Sequence, residues 1–490
     1  MDYYTAMPSS SMMSSSHDEA TRGTKRLCTK RTPVAAIGIA VILCLSCVFS
    51  RASEECIVVQ EDCTVCDVLI VGGGSSGISA AIQAGRAGAK TVLIDSNFQL
   101  GGTTTSGGVS YPALFYAWGR QVIAGTGWEL VHDTVILDHN VFPDFSKPFG
   151  KKHWEHQVNV NPALYSMLAE EKCLNAGVEI RYFESPVRIT RQGPDSRDAA
   201  APEANWKVLT SSQGQPRLLF CKVIVDCTGN AAVADMVGAQ RVRSDVRQPG
   251  TFAAHVSGFD KTKITDEEMQ VLFAQALEKK QVVASDIQGV RQLMNGQYSM
   301  YVPDADNSTG QLRGATNQQG RQALLRAFRF ALTLPGGDSL RMHRINPEVG
   351  VRETWRVVGE YVITKDDYVS GKVWPDSICY AYFPIDIHDF QAGGASPQHL
   401  EEGIVATVPL RALCPKGIDD FLVAGRCISS DREANSALRV QATCMGTGQA
   451  AGAAAALAAK ENVTPLKLDL TALKVLLKEH GAILPEENRP

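Results

Sequence analysis

Residues 67–95, DVLIVGGGSSGISAAIQAGRAGAKTVLID, constrain the fold more than any other stretch of the chain. Val68 to Val71 form an apolar run suited to a strand buried on both faces. The run breaks at Gly72, Gly74 and Gly77, resumes as a small-residue helix, and is followed by a second apolar run ending in Asp95. This order and spacing predict a βαβ dinucleotide-binding unit. Gly72 would permit the tight turn, Gly74 the approach of a pyrophosphate, and Gly77 close helix–strand packing. The helix N-terminus offers unpaired N–H groups to the phosphates, and Asp95 is placed for the ribose hydroxyls. A lone glycine motif is weak evidence, but both strands, the helix and the terminal acid are in register here.

With 490 residues the chain is too long for one simple core, so two or three domains are expected. A net charge of −4 gives no electrostatic reason to expect nucleic acid as a partner. Residues 1–32 are Ser/Met-rich and then basic, and read as a disordered tail. Residues 34–49 are sixteen uncharged, mostly apolar residues. That is short of the about 20 that a spanning helix needs. Residues 33–52 therefore read as a signal peptide or short membrane anchor, a possible tether that would send the rest into the secretory pathway. The product would be secreted, lumenal or membrane-anchored with its catalytic part non-cytoplasmic; an organelle leader is the other reading. Ten of the thirteen cysteines follow this segment, and Cys56, Cys63 and Cys66 cluster in or beside the linker 53–65, where a disulfide or free thiols are expected. No cysteine spacing matches a zinc site or an iron–sulfur cluster, so no metal is expected.

Further along, Gly101 and Gly102 open a small-residue loop to Gly108 suited to close backbone contact with phosphates. Asn161-Pro162 reads as a helix cap and first turn. The strand 218–226 ends in Asp226-Cys227-Thr228-Gly229, a second turn at the sheet edge where α/β proteins bind ligands. Residues 256–414 hold three of the ten histidines and long polar loops, and read as an inserted α+β substrate or cap domain. It interrupts a nucleotide-binding domain of residues 66–255 and 415–465. Residues 446–461 form an alanine-rich helix that must pack tightly, and residues 466–490 a terminal helix and tail.

Six ordered motifs carry a family resemblance: VGGGSSG, LGGTTTSGG, VDCTGN, GVRETWRVVGEY, YFPIDIHD and VAGRCISSDREANSALRVQATCMGTGQAAG. Together they resemble the FAD-dependent oxidoreductases of the glutathione-reductase-like superfamily. More narrowly, the chain is similar to the heterodisulfide-reductase-type flavoprotein branch, without that branch's iron–sulfur cysteine run. The resemblance implies an α/β, Rossmann-like FAD/NAD(P)-binding fold with FAD in the fingerprint. It implies that Gly72, Gly74, Gly77 and Asp95 hold the ADP half and Gly101 and Gly102 the pyrophosphate. Thr228 and Gly229 would form the second FAD turn, Gly425 and Arg426 would lie near the ribityl chain, and Gly446, Gly448 and Gln449 would begin a helix aimed at the flavin.

Flavin chemistry needs a substrate C–H bond placed over the ring, a base for the departing proton, and tuning charges. His388 and Asp386 fall two residues apart, on one face if the segment is a strand. An aspartate there would orient the histidine and raise its pKa for acid–base work. Arg352, beside Glu353, would clamp a substrate carboxylate, and Arg439 would reach the flavin pyrimidine or a substrate anion. The expected function is hydride transfer between a small molecule and flavin N5, with oxygen or another carrier as electron acceptor. A flavin-binding protein without turnover, or an interaction protein on a Rossmann scaffold, are the alternatives.

Overall fold

The computed structural model describes residues 63–193, 195, 197–389, 394–395 and 397–486. The apolar segment 34–49, the basic tail before it and Cys56 lie outside the described residues. Among the described residues no helix is long and apolar enough to cross a membrane.

The fingerprint folds as its pattern predicts. Strand β1 (Cys63–Val71) leads through the glycines into helix α1 (Ser75–Arg86) and strand β2 (Thr91–Asp95). Val68, Leu69 and Ile70 have no exposed surface, because neighbouring strands and helices cover both faces of β1. Asn161 caps helix α2 (Pro162–Asn175), accepting from the Ala163 N–H at 3.0 Å. Strand β3 (Glu179–Tyr182) then pairs parallel with β2. Strands β4 (Glu184–Arg191), β5 (Trp206–Ser212) and β6 (Gln215–Asp226) form an antiparallel meander.

Strand β6 ties the sheet together. Its residues 218–226 pair parallel with β1, and its first half pairs antiparallel with β5. Its last three residues pair parallel with Phe421–Val423, a strand far downstream. The strand ends Val71, Asp95, Asp226 and Val423 thus meet at one carboxyl edge, where open α/β sheets bind ligands.

A second core lies in a smaller unit. Strands β7 (Gly250–Ser257), β8 (Gln297–Val302) and β9 (Arg341–Ile345) make an antiparallel sheet in the order β8-β7-β9. Phe252, Met269, Phe273, Leu293, Met300 and Phe330 pack between this sheet and its helices. This core spans Phe252 to Val351, which is shorter than the inserted unit expected over residues 256–414. Val357, Tyr368, Ile378, Tyr380, Val408 and Leu413 belong to the first core instead. The reason is burial: the paired strands Ser377–Ala381 and Ala406–Pro409 are covered at every position.

The alanine-rich helix begins earlier than its composition suggests. It runs over Gln441–Glu461 and packs against α1 at backbone distance. A Cβ on Gly448 would lie 2.1 Å from the Ser76 carbonyl oxygen, and one on Gly452 would lie 2.2 Å from that of Ala80. Small residues are required along this seam by contact, not by a ligand. The terminal helix Leu470–Glu479 is capped by Asp469 and docks through Leu473 and Leu477. Cys63 and Cys66 are free thiols.

Candidate active site

A cavity of about 750 Å³ opens at the carboxyl edge of the sheet. One end is built from backbone. Gly72 adopts φ +103°, and a Cβ there would sit 2.6 Å from the Cys227 carbonyl oxygen. A Cβ on Gly77 would sit 1.7 Å from the Gly72 oxygen, so only glycine lets α1 approach the strand. Gly74 differs from both. It lines the cavity, and a Cβ there would meet nothing within 4 Å, so a side chain would project into ligand space. Gly74 is also the N-cap of α1 and supplies no side-chain acceptor, which leaves the first N–H groups of the helix available to an anion.

Asp95 borders the same end of the cavity. Its carboxylate accepts the N–H groups of Gly73 and of Asn97, the latter at 2.7 Å, and still has lone pairs for hydroxyl donors. Burial pushes its pKa up, against those two hydrogen bonds. Arg313 lies nearby, held by Glu348 and donating to Asn97 Oδ1 at 2.6 Å. Nothing in the local sequence pointed to Arg313.

The other expected cofactor residues divide in two. Gly102, Thr228, Gly229, Arg426 and Arg439 line the cavity. Asp226 shapes the Thr228 turn by accepting its N–H at 2.9 Å and its hydroxyl at 2.6 Å. Gly101 turns the loop at φ +115° without reaching the cavity wall, and Gly425 packs on Ser76. Gly446, Gly448 and Gln449 are corrections. They lie beyond the first turn of the helix, and none borders the cavity. Gly446 packs on Cys379, Gly448 on Ser76, and Gln449 is spent on the Thr126 N–H, Gln83 and the His480 carbonyl. Val440, Gln441 and Cys444 occupy the position expected for them, at an N-terminus with no side-chain cap. The alanine run masked where the helix starts.

The opposite end of the cavity is built from side chains. His388 Nε2 lies 2.8 Å from Asp386 Oδ2, and Nδ1 lies 3.0 Å from the Tyr301 hydroxyl. An ionised Asp386 requires a proton on Nε2, so Nδ1 accepts the tyrosine O–H. The His388 N–H donates to Gln248 Oε1 at 3.1 Å, and Arg439 reaches the same oxygen at 3.3 Å. Arg439 also lies 3.7 Å from Asp386 Oδ2. Arg352 donates to the Pro249 carbonyl and stands over the Tyr301 ring, 5.2 Å from its centroid. Arg352, Asp386, His388 and Arg439 all border the cavity. Tyr301 and Gln248 have no local signal, because the side chains they hydrogen-bond in this cluster lie 87 or more residues away.

The electrostatics reverse one expectation. Burial lowers the His388 pKa, and the Arg352 charge adds to this, together outweighing the hydrogen bond to Asp386. Burial would raise the Asp386 carboxyl, but His388, Arg439 and Arg352 hold it below the usual carboxylate range. The pair is therefore a neutral imidazole on an ionised carboxylate near neutral pH. Glu353 does not pair with Arg352; it bonds Arg432 at 2.9 Å and accepts the Gln248 N–H at 2.7 Å.

A single pocket thus offers an uncapped helix N-terminus, the Asp95 carboxylate and the hydrogen-bonded Asp386–His388 pair, a set that suits a nucleotide redox cofactor. The chain belongs to the FAD-dependent oxidoreductase family: the family model described as FAD dependent oxidoreductase matches residues 67–477. It is an enzyme of that class, FAD is its cofactor, and the large domain is a Rossmann-like FAD-binding domain. Among curated proteins the chain is similar to the thiamine thiazole synthase of Archaeoglobus fulgidus, 23% identical over 211 residues, covering 42% of this chain and 71% of that protein. The Metallosphaera sedula thiamine thiazole synthase is 23% identical over 185 residues, covering 37% of this chain and 60% of that one. Among solved structures, a geranylgeranyl bacteriochlorophyll reductase-like protein of Thermoplasma acidophilum aligns with TM-score 0.38 and 11% identity over 85% of this chain and 84% of its own. The p-nitrophenol 4-monooxygenase of Pseudomonas putida DLL-E4 aligns with TM-score 0.37 and 12% identity over 85% of each chain.

Proposed function

We propose that this enzyme oxidises a small organic molecule at the Arg352/Asp386/His388/Arg439 end of the cavity, and that it falls in the glutathione-reductase-like, heterodisulfide-reductase-type branch. The observation that carries the reading is that one cavity joins the glycine fingerprint to this cluster. When bound, FAD supplies the acceptor, at N5, for a hydride equivalent from the substrate. The chain's own groups do the rest. The α1 N-terminus, Gly102 and the Thr228-Gly229 turn hold phosphates, and Asp95 takes ribose hydroxyls. His388 Nδ1 receives the substrate proton, directly on displacing the Tyr301 hydroxyl or through it. Asp386 stabilises the imidazolium that forms. Tyr301, from the unit built on the second core, reaches His388 and would help shield this end from water.

Oxygen or another carrier is the proposed electron acceptor. Residues 34–49 are proposed to route the enzyme into the secretory pathway, where nicotinamide is not supplied. The test is anaerobic mixing of the FAD-loaded protein with a metabolite panel while the flavin absorbance is followed, with oxygen admitted afterwards. Bleaching by a panel member and recovery in oxygen are expected. A flavin reducible by dithionite but by no metabolite would favour a binding protein without turnover.

A further inference from the structure

Four arginines, Arg313, Arg352, Arg426 and Arg439, border the cavity, and Arg313 is paired with Glu348. Arg426 is spent on the carbonyls of Gly229 and Val351 and on Asn307 Oδ1. Arg352 and Arg439 are not satisfied in this way. Among the described residues Arg352 makes no ion pair, and its one hydrogen bond is to a neutral carbonyl. Arg439 is mostly buried, with its side chain 12% exposed, and its Nε is buried with no hydrogen-bond partner. Its NH2 reaches two neutral oxygens, at 3.1 and 3.3 Å, and the more distant Asp386 carboxylate. That carboxylate is shared with His388. Both guanidinium groups therefore keep donors that no described carboxylate takes up at hydrogen-bond distance. A buried charge with unspent donors is costly, so the cluster suits an anion.

The walls next to this charge are aromatic. The Phe383 and His153 rings meet edge to face, with centroids 4.9 Å apart, and both border the cavity. Burial keeps His153 neutral, opposed by the nearby Asp386 charge. Trp154 borders the cavity too, yet leaves 57% of its surface in water. A half-exposed indole at the rim of a charged pocket suits an apolar, flat ligand.

We propose that the Arg352–Arg439 pair is a carboxylate subsite and that the substrate is a planar, apolar monocarboxylate whose flat part lies against Phe383, His153 and Trp154. The proposal rests on the oxidoreductase reading of this cavity. An anionic ligand group answers the unspent donors of Arg352 and Arg439. Guanidinium forks also fit a carboxylate with two parallel hydrogen bonds.

The test is equilibrium titration of the FAD-loaded full chain with benzoate, benzamide, phenyl phosphate and acetate, read by the flavin difference spectrum and by tryptophan fluorescence. Benzoate is expected to saturate, and to bind about tenfold or more tighter than the uncharged, isosteric benzamide, which forfeits charge-assisted hydrogen bonds. It is likewise expected to bind tighter than phenyl phosphate and acetate. Arg352→Met and Arg439→Met should each remove the preference for benzoate over benzamide while the bound flavin is kept. Equal binding of benzoate and benzamide in the unmodified protein would overturn the proposal whether or not the variants fold. So would tighter binding of phenyl phosphate or acetate, or loss of flavin from both folded variants, which would give the arginines to the cofactor. These readouts need no turnover, so failure here leaves His388 chemistry untouched, and an inert His388 leaves the binding result intact.

Discussion

The two ends of the cavity are built in opposite ways. At the Gly74 end the contacts come mainly from main-chain N–H groups and from glycines whose missing side chains make room; the Gly73 and Asn97 N–H groups fix Asp95, with the Arg313–Glu348 pair beside it. At the His388 end the work falls to buried ionisable side chains from segments far apart in the chain, tied together through Gln248, Tyr301 and Asp386. A backbone site depends on local geometry and tolerates little change in volume. A side-chain site depends on charge balance, and each member sets the protonation of the others.

The largest effect is expected at the backbone end. Gly74→Val should abolish FAD retention, because the side chain enters space that no protein atom fills. The purified protein should be folded and colourless; a yellow variant with full flavin content would remove the fingerprint as the cofactor site. At the other end, His388→Asn should keep the flavin but slow its reduction by an active substrate roughly 10²–10⁴-fold, the span of general acid–base catalysis. The sign of its pH dependence follows from burial. Because His388 is held neutral, the wild-type acid limb should lie below the ordinary histidine value of about 6.5, with activity lost as pH falls through it. Anaerobic stopped-flow across pH would show the limb in the wild type and not in the variant.

Away from both ends, Gly448 in the helix seam tests the correction. Gly448→Ala should destabilise the protein by about 1–3 kcal/mol, the usual overpacking range, since its Cβ would press on the Ser76 carbonyl. Thermal unfolding of the apo form should register the loss; an unchanged apo stability with weakened flavin binding would return Gly448 to the cofactor. The smallest effect is expected for Tyr301→Phe. Losing one hydrogen bond worth about 0.5–1.5 kcal/mol to the neutral imidazole should move the acid limb upward, with a rate change of up to about tenfold. A limb that stays put would separate Tyr301 from the proton path.

What the sequence disclosed follows the same division. Gly72, Gly74, Gly77 and Asp95 were legible because turn, close approach and terminal acid all fall within one short βαβ unit. Asp386 and His388 were legible because their partnership is also local. Arg313, Gln248 and Tyr301 were not, since only the chain's long-range folding brings them to their partners. The direction of the His388 shift was hidden for a related reason: Asp386 is visible beside it in sequence, whereas burial and Arg352 are not. In the helix Gln441–Glu461, uniform alanine gave no periodicity by which to place the first turn, so a packing seam read as a ligand contact.

The central claim is that the cofactor held at the glycine end presents its redox ring to the His388 cluster. The most direct measurement needs no substrate: a pH titration of the visible absorbance of the FAD-loaded protein, wild type against His388→Asn, at equal flavin content. The account predicts a flavin perturbation in the wild type with a midpoint below about 6.5, absent from the variant. Superimposable titrations of the two proteins would contradict it and place the ring away from His388.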